Sequence, residues 1–332
     1  MEASSSSPLG SPSSPAPTGD RNKRLVADDA HPGLGPLSFA CVATLLGIGA
    51  GLGAWVFRTL IALVHNIGFL GLMSAHYDTS MHTPKSPWGH AIVLVPVSGA
   101  LVVAFLVKNF APEAKGHGVP EVMDAIYYGK SIIRPAVAAI KALASAICIG
   151  TGGSVGREGP IVQIAAAFAS WLGVTARTSR WQRATLIAAG GGAGIAATFN
   201  TPLGGMLFAI EVLMPEVSVR TLVPVALSTA TATYVGRRVF GDTPAFLVPA
   251  VHASVTSAVL PAYVLLGVLM AAVAVGFIRA LYGTEDSFDG VIRQNAYMRH
   301  VVGMLVVGIA LDLLMVRTGH YYVEGVGYAT IV

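Results

Sequence analysis

Two short glycine-rich stretches carry charged groups inside an otherwise apolar chain. "GTGGSVGREGP", residues 150–160, sets Arg157 and Glu158 among glycines and follows them with Pro160. "GHGVPE", residues 116–121, sets His117 between glycines and follows with Pro120 and Glu121. A glycine-rich turn that opens a helix exposes unpaired N–H groups at the positive end of the helix dipole, which is the chemistry of anion binding. A nucleotide phosphate is a poor fit, because the GxxxxGK[ST] order is missing and an apolar run, not a βαβ strand, precedes the loop. Pro160 suits the first turn of a helix. A helix that starts at membrane depth aims its free N–H groups into a cavity, where Glu158, an ionisable carboxylate, is expensive to bury and a functional candidate. The segment after "GHGVPE" is too short to span a bilayer. Two such helix starts converging on one point would bind an anion without a buried full positive charge, so that the ion binds and still leaves.

A third stretch, "GGGAGIAATFNTPLGGMLFAIEVLMPE", covers residues 190–216. Its glycines suit close helix packing, whereas Asn200, Pro202 and Glu211 need more than packing to explain them. Other reactive types suggest little chemistry. Cys41 and Cys148 have neither CxxC nor metal-like spacing and are expected to be small buried hydrophobes. His65 and His90 are expected at membrane interfaces. No Ser/His/Asp set, metal cluster or nucleotide loop emerges, so neither an enzyme nor a cofactor is indicated.

The elements that must position these residues follow from composition. Of 332 residues, 54% are hydrophobic and 11% charged, against about a quarter charged in soluble domains, so the chain is expected to be an integral membrane protein. Its net charge of +4 is scattered, without the basic face and interleaved aromatics of a nucleic-acid binder. Residues 1–35, rich in Ser and Pro, are expected to form a disordered tail, and they lack the layout of a secretory signal. Apolar runs follow at 37–71, 88–110, 120–128, 135–149, 158–174, 181–199, 203–214, 222–235, 259–282 and 297–316. The first is too long for one perpendicular span and should tilt or end in an interfacial turn. Several others are short and bounded by Gly or Pro, the mark of half-helices lining a polar cavity, which points to a transporter or channel. Arg21, Lys23, Arg24, Lys108, Lys115, Arg177, Arg180 and Arg183 can share one side, giving a cytoplasmic N-terminus, with Arg237 and Arg238 opposite.

In matching order, "GHGVPE", "GSVGREGP" and "FNTPLGGMLFAIE" resemble the CLC family of chloride channels and proton/chloride exchangers. The resemblance implies an all-α, polytopic membrane protein of inverted-repeat architecture. It covers residues 36–332 as one transmembrane domain that ends early in the second repeat, so the ion site is expected to be incomplete. It also implies a homodimer, each subunit with its own anion path, in a plasma or inner membrane. By the same resemblance Glu158 is the gate. Gly116, His117, Gly118, Val119 and Pro120 form the inner part of the anion site, and Gly156, Arg157, Gly159 and Pro160 the outer part. Arg157 is expected to anchor its loop by pairing with a neighbour. The family usually reads GSGIP where this chain has His117 in place of the serine, and an imidazole N–H could donate to the anion as the hydroxyl does. Asn200, Pro202 and Glu211 fall at structural positions near the site. Val212 stands where proton-coupled exchangers often carry an internal glutamate, and a valine cannot relay a proton. The expectation is therefore a passive, voltage-gated-type chloride channel with no cofactor. Alternatives are a proton-coupled chloride antiporter and, more remotely, a non-conducting membrane subunit.

Overall fold

The computed structural model describes residues 33–129, 131–214, 217–242, 259–291 and 296–331. All regular structure among them is helical. Most of the expected tail, residues 1–32, lies outside the described residues. Its last part is fixed: the Leu34 N–H donates to Gln182 Oε1 at 2.9 Å and the Gln182 amide donates to the Leu34 carbonyl at 2.8 Å. Leu34, inside the expected tail, is thus tied to the helix that carries Gln182.

Helix α1, Pro36–His65, has 30 residues and at 1.5 Å per residue is about 45 Å long. That exceeds the roughly 30 Å hydrocarbon core, so the excess is taken up by tilt or by an end that runs into the interface. It widens into a terminal turn over Asn66–Leu70 and stops at Gly71, whose φ of 67° places it in the left-handed region that glycine enters at little cost. The others are α2, Leu94–Phe110; α3, Val119–Tyr127; α4, Pro135–Gly150; α5, Glu158–Thr175; and α6, Arg180–Phe199. Next come α7, Pro202–Phe208, widening over Ala209–Leu213; α8, Val219–Phe240; α9, Leu260–Val291; and α10, Ala296–Thr318. Among the described residues, four stretches are long and apolar enough to cross a membrane: Pro36–Leu70, Gly89–Phe110, Leu260–Phe288 and Tyr297–Thr318.

Two helices outrun their apolar segments. Helix α8 continues past Val235 to Phe240, and its terminal Arg237 Nε donates to Asn200 Oδ1 at 2.6 Å, so the charge beyond the apolar run has a partner. Helix α9 continues past Tyr282, where the Thr284 and Ser287 hydroxyls donate back to the Ala280 and Gly283 carbonyls.

Helices α1, α5, α6 and α8 form the central bundle, with α1 on α8 and α6 between α5 and α8. Lipid tails are as apolar as leucine, so burial of apolar area does not drive this packing; small residues that admit close backbone approach do. A Cβ on Gly190 would stand 2.7 Å from the Ala165 carbonyl, one on Gly47 2.5 Å from the Ser228 carbonyl, and one on Gly192 would overlap the Gly205 carbonyl. The glycine run at 190–194 is therefore a packing surface. Helix α10 packs on α2, and α9 is exposed along its length. Cys148 is partly covered, but Cys41 is exposed, contrary to expectation. A small apolar side chain on the outer face of a membrane helix has no need of burial.

Candidate anion site at the meeting of two helix starts

Helices α3 and α5 begin against each other. Gly118 adopts φ +100°, and a Cβ there would overlap the carbonyl of Gly159; a Cβ on Gly159 would overlap the carbonyl of His117. The two glycine-rich stretches, far apart in sequence, thus touch backbone to backbone. Helix α3 has 9 residues, about 14 Å of rise, so it ends inside a membrane-thick layer.

The donors at these starts are not equally free. The Gly118 N–H donates to Glu121 Oε2 at 2.6 Å, so the helix's own carboxylate occupies a donor assigned to the anion. A further group is one that the sequence reading missed. Lys141 on α4 is 5% exposed, and its ammonium donates to the carbonyls of Ala114 at 3.0 Å and Gly116 at 2.7 Å. This corrects the expectation of a site with no buried full charge. The signal was present as a lone lysine in the apolar run "PAVAAIKALASAICIG", and an ionisable residue in such a run is a functional candidate.

A cavity of about 780 Å³ opens at the junction, with Gly116, His117, Lys141, Gly156, Glu158 and Gly159 in its walls, together with Pro160. Lys108, Lys115 and Arg299 also border it, whereas Glu285 is the one carboxylate besides Glu158. The wall is cationic on balance, and such a cleft concentrates small anions. Gly118, Val119, Pro120 and Arg157 lie outside the lining, as do Asn200, Pro202, Glu211 and Val212. Asn200 ends α6 in the left-handed conformation and accepts from Arg237; Pro202 opens α7. Glu211 is exposed, and Val212 packs against the apolar core of the bundle.

Glu158 is partly buried, and its Oε1 accepts from the Tyr328 hydroxyl at 2.8 Å. Arg157 is 6% exposed with its guanidinium over the Tyr328 ring, 5.0 Å from the centroid. His65, expected at an interface, is instead 2% exposed and paired with Glu324. Desolvating a carboxylate next to a histidine is tolerated only because each satisfies the other. His90 does lie at the surface, paired with Asp312. Ahead of the "GHGVPE" loop, Glu113 meets Arg134 at 2.6 Å. Its own backbone N–H and then Arg134 hold its carboxyl below the usual range. That contribution is complete at neutral pH and is lost as pH falls through the lowered value. Both groups are exposed, so it is small.

Replacing Lys141 with methionine should weaken anion binding at least tenfold, since a hydrogen-bonded buried charge and the order of residues 114–116 are lost together. Titration calorimetry with chloride would register this, and a Lys141→Met protein with unchanged affinity would remove Lys141 from the site.

Two helix starts, a cationic cavity and a carboxylate in its wall thus meet in an all-helical chain with membrane-length apolar helices. The sequence pattern of the family described as voltage gated chloride channel matches residues 99–332, and the chain belongs to this family. The protein is 29% identical to the chloride channel protein CLC-f of Arabidopsis thaliana over 81% of this chain and 34% of that protein. It is 31% identical to the H(+)/Cl(-) exchange transporter ClcA of Cronobacter sakazakii over 76% of this chain and 53% of that one. Among solved structures, a slow cyanobacterial Cl-/H+ antiporter superposes with a TM-score of 0.69 at 22% identity, over 83% of this chain and 63% of that one. That likeness shows a shared fold. The chain spans between about a third and three fifths of the length of the curated relatives it matches.

Proposed function

We propose that the protein moves small anions, chloride first among them, through the cavity between the starts of α3 and α5, with Glu158 as the gate. The observation that carries this is the Glu158 carboxylate in the wall of a cationic cavity where two helix starts meet. A carboxylate resembles the permeant anion, competes for the same donors, and yields its place when protonated or displaced. His117 lines the same cavity and supplies an imidazole where the family's serine would stand.

The mode of transport we favour is proton-coupled exchange. Relatives named as H(+)/Cl(-) exchange transporters, together with the structurally similar cyanobacterial antiporter, support it over the passive channel that Val212 suggests. One observation still favours the channel: Val212 lies against the core of the bundle and offers no proton relay. The proton would then need a route that bypasses Val212. Reversal potential in the reconstituted full-length protein separates the two. Exchange predicts a steady shift with an imposed pH gradient, and a reversal potential blind to pH would establish the channel. We further propose a cytoplasmic N-terminus, supported by the distribution of Lys and Arg beside the apolar runs, and a homodimer, as the family resemblance implies.

A further inference from the structure

The gating carboxylate touches a residue that belongs to neither helix start. Tyr328 is 6% exposed and opens the short turn Tyr328–Thr330. It donates its hydroxyl to Glu158 Oε1 at 2.8 Å while its ring lies beneath the Arg157 guanidinium. The segment that carries it is held from the other side. Glu324, 7% exposed, accepts from the Thr83 hydroxyl at 2.9 Å and pairs with His65. His65 in turn stacks on Tyr77 with ring centroids 3.9 Å apart and on Phe69 at 5.0 Å. A tight turn joins the two anchors, the Gly327 N–H donating to the Glu324 carbonyl at 3.2 Å with Gly327 at φ 71°. Such an arrangement leaves the Tyr328 side chain little freedom, so its hydroxyl is aimed at the carboxylate before any anion arrives.

We propose that Tyr328 is a positioning residue for Glu158: its hydroxyl holds the gating carboxylate in the cavity wall, and the Glu324–His65 pair fixes that hydroxyl in place. The inference rests on the reading of Glu158 as the gate. A neutral donor to an ionised acceptor makes a strong hydrogen bond. Losing it frees the carboxylate to be displaced, and an anion then competes about tenfold more successfully. Ring packing under Arg157 is a separate, structural role that phenylalanine keeps.

The test is chloride binding by titration calorimetry to the full-length protein, comparing the unaltered chain, Tyr328→Phe, Glu158→Gln and the double variant. Glu158→Gln should tighten binding, because the competing carboxylate is gone. Tyr328→Phe should tighten it about tenfold when Glu158 is present and by less than about twofold when it is not, the non-additivity expected of groups that act through each other. His65→Gln should change binding in the same direction, less strongly, and again only with Glu158 in place. Equal effects of Tyr328→Phe in both backgrounds, or none in either, would overturn the positioning role while leaving the gate intact. A Glu158→Gln protein with unaltered binding would instead overturn the gate, and this proposal with it.

Discussion

Glu158→Gln in the reconstituted full-length protein should leave anion flux intact, strip it of pH dependence and abolish proton coupling. Glutamine keeps the size of the side chain and a carbonyl acceptor for the Tyr328 hydroxyl, which Glu158 engages at 2.8 Å. It loses the charge that, at the proposed gate, would compete with the anion, and the carboxylate that would carry a proton. Because the carboxylate stands in the cavity wall, its removal touches the step at which the ion enters. In the unaltered protein, efflux should depend on pH and be accompanied by proton movement. In the variant the change with pH should be less than about twofold. Liposome efflux at a series of pH values, with proton movement followed in parallel, gives both quantities. Full gating and full coupling in the variant would sink the assignment of Glu158.

The second large effect is expected from one methyl group. Gly118→Ala places a Cβ on a residue at φ +100° and drives it into the Gly159 carbonyl. Both penalties are backbone penalties, so no rotamer change relieves them. The strained conformation costs about 1–3 kcal/mol and the forced separation of α3 from α5 a similar amount. We expect a marked fall in folded protein on size-exclusion chromatography and, in the fraction that folds, loss of chloride binding. Gly53→Ala is the matched control, since nothing lies within 4 Å of a Cβ there. It should change thermal stability by no more than about 0.5 kcal/mol. If both variants behaved alike, the contact between the helix starts would not matter to the fold.

These two results bear on how far the sequence could be read. The half-helices were legible because Gly and Pro punctuate apolar runs that are too short to span, and α3 and α5 begin within a residue or so of the expected positions. Their mutual approach was inferred from shared chemistry, and the glycines at 118 and 159 are the residues that permit it. Lys141 was passed over because its neighbours are alanine and isoleucine. Its role depends on carbonyls at 114 and 116 that the fold brings back from an earlier loop. His65, Glu324 and Tyr328 were illegible for a related reason. The His65–Glu324 contact spans a separation of 259 residues and the Tyr328–Glu158 contact one of 170, and no local periodicity encodes such pairs. Glu121 shows the opposite limit: it stands in plain view within "GHGVPE", but only the fold reveals that its carboxylate takes the Gly118 N–H. Cys41 illustrates a rule carried over from water. Apolar character predicts burial in a soluble core, whereas in a bilayer it is equally satisfied by lipid.

The most direct test of the account is to locate the anion. Crystals of the full-length protein grown in bromide should give an anomalous peak in the cavity bounded by His117, Lys141, Glu158 and Gly159. That peak should gain occupancy in Glu158→Gln, where the competing carboxylate is gone. A cavity without a bromide peak in either protein, with bromide ordered elsewhere in the membrane domain, would contradict the claim that the anion passes where α3 and α5 meet.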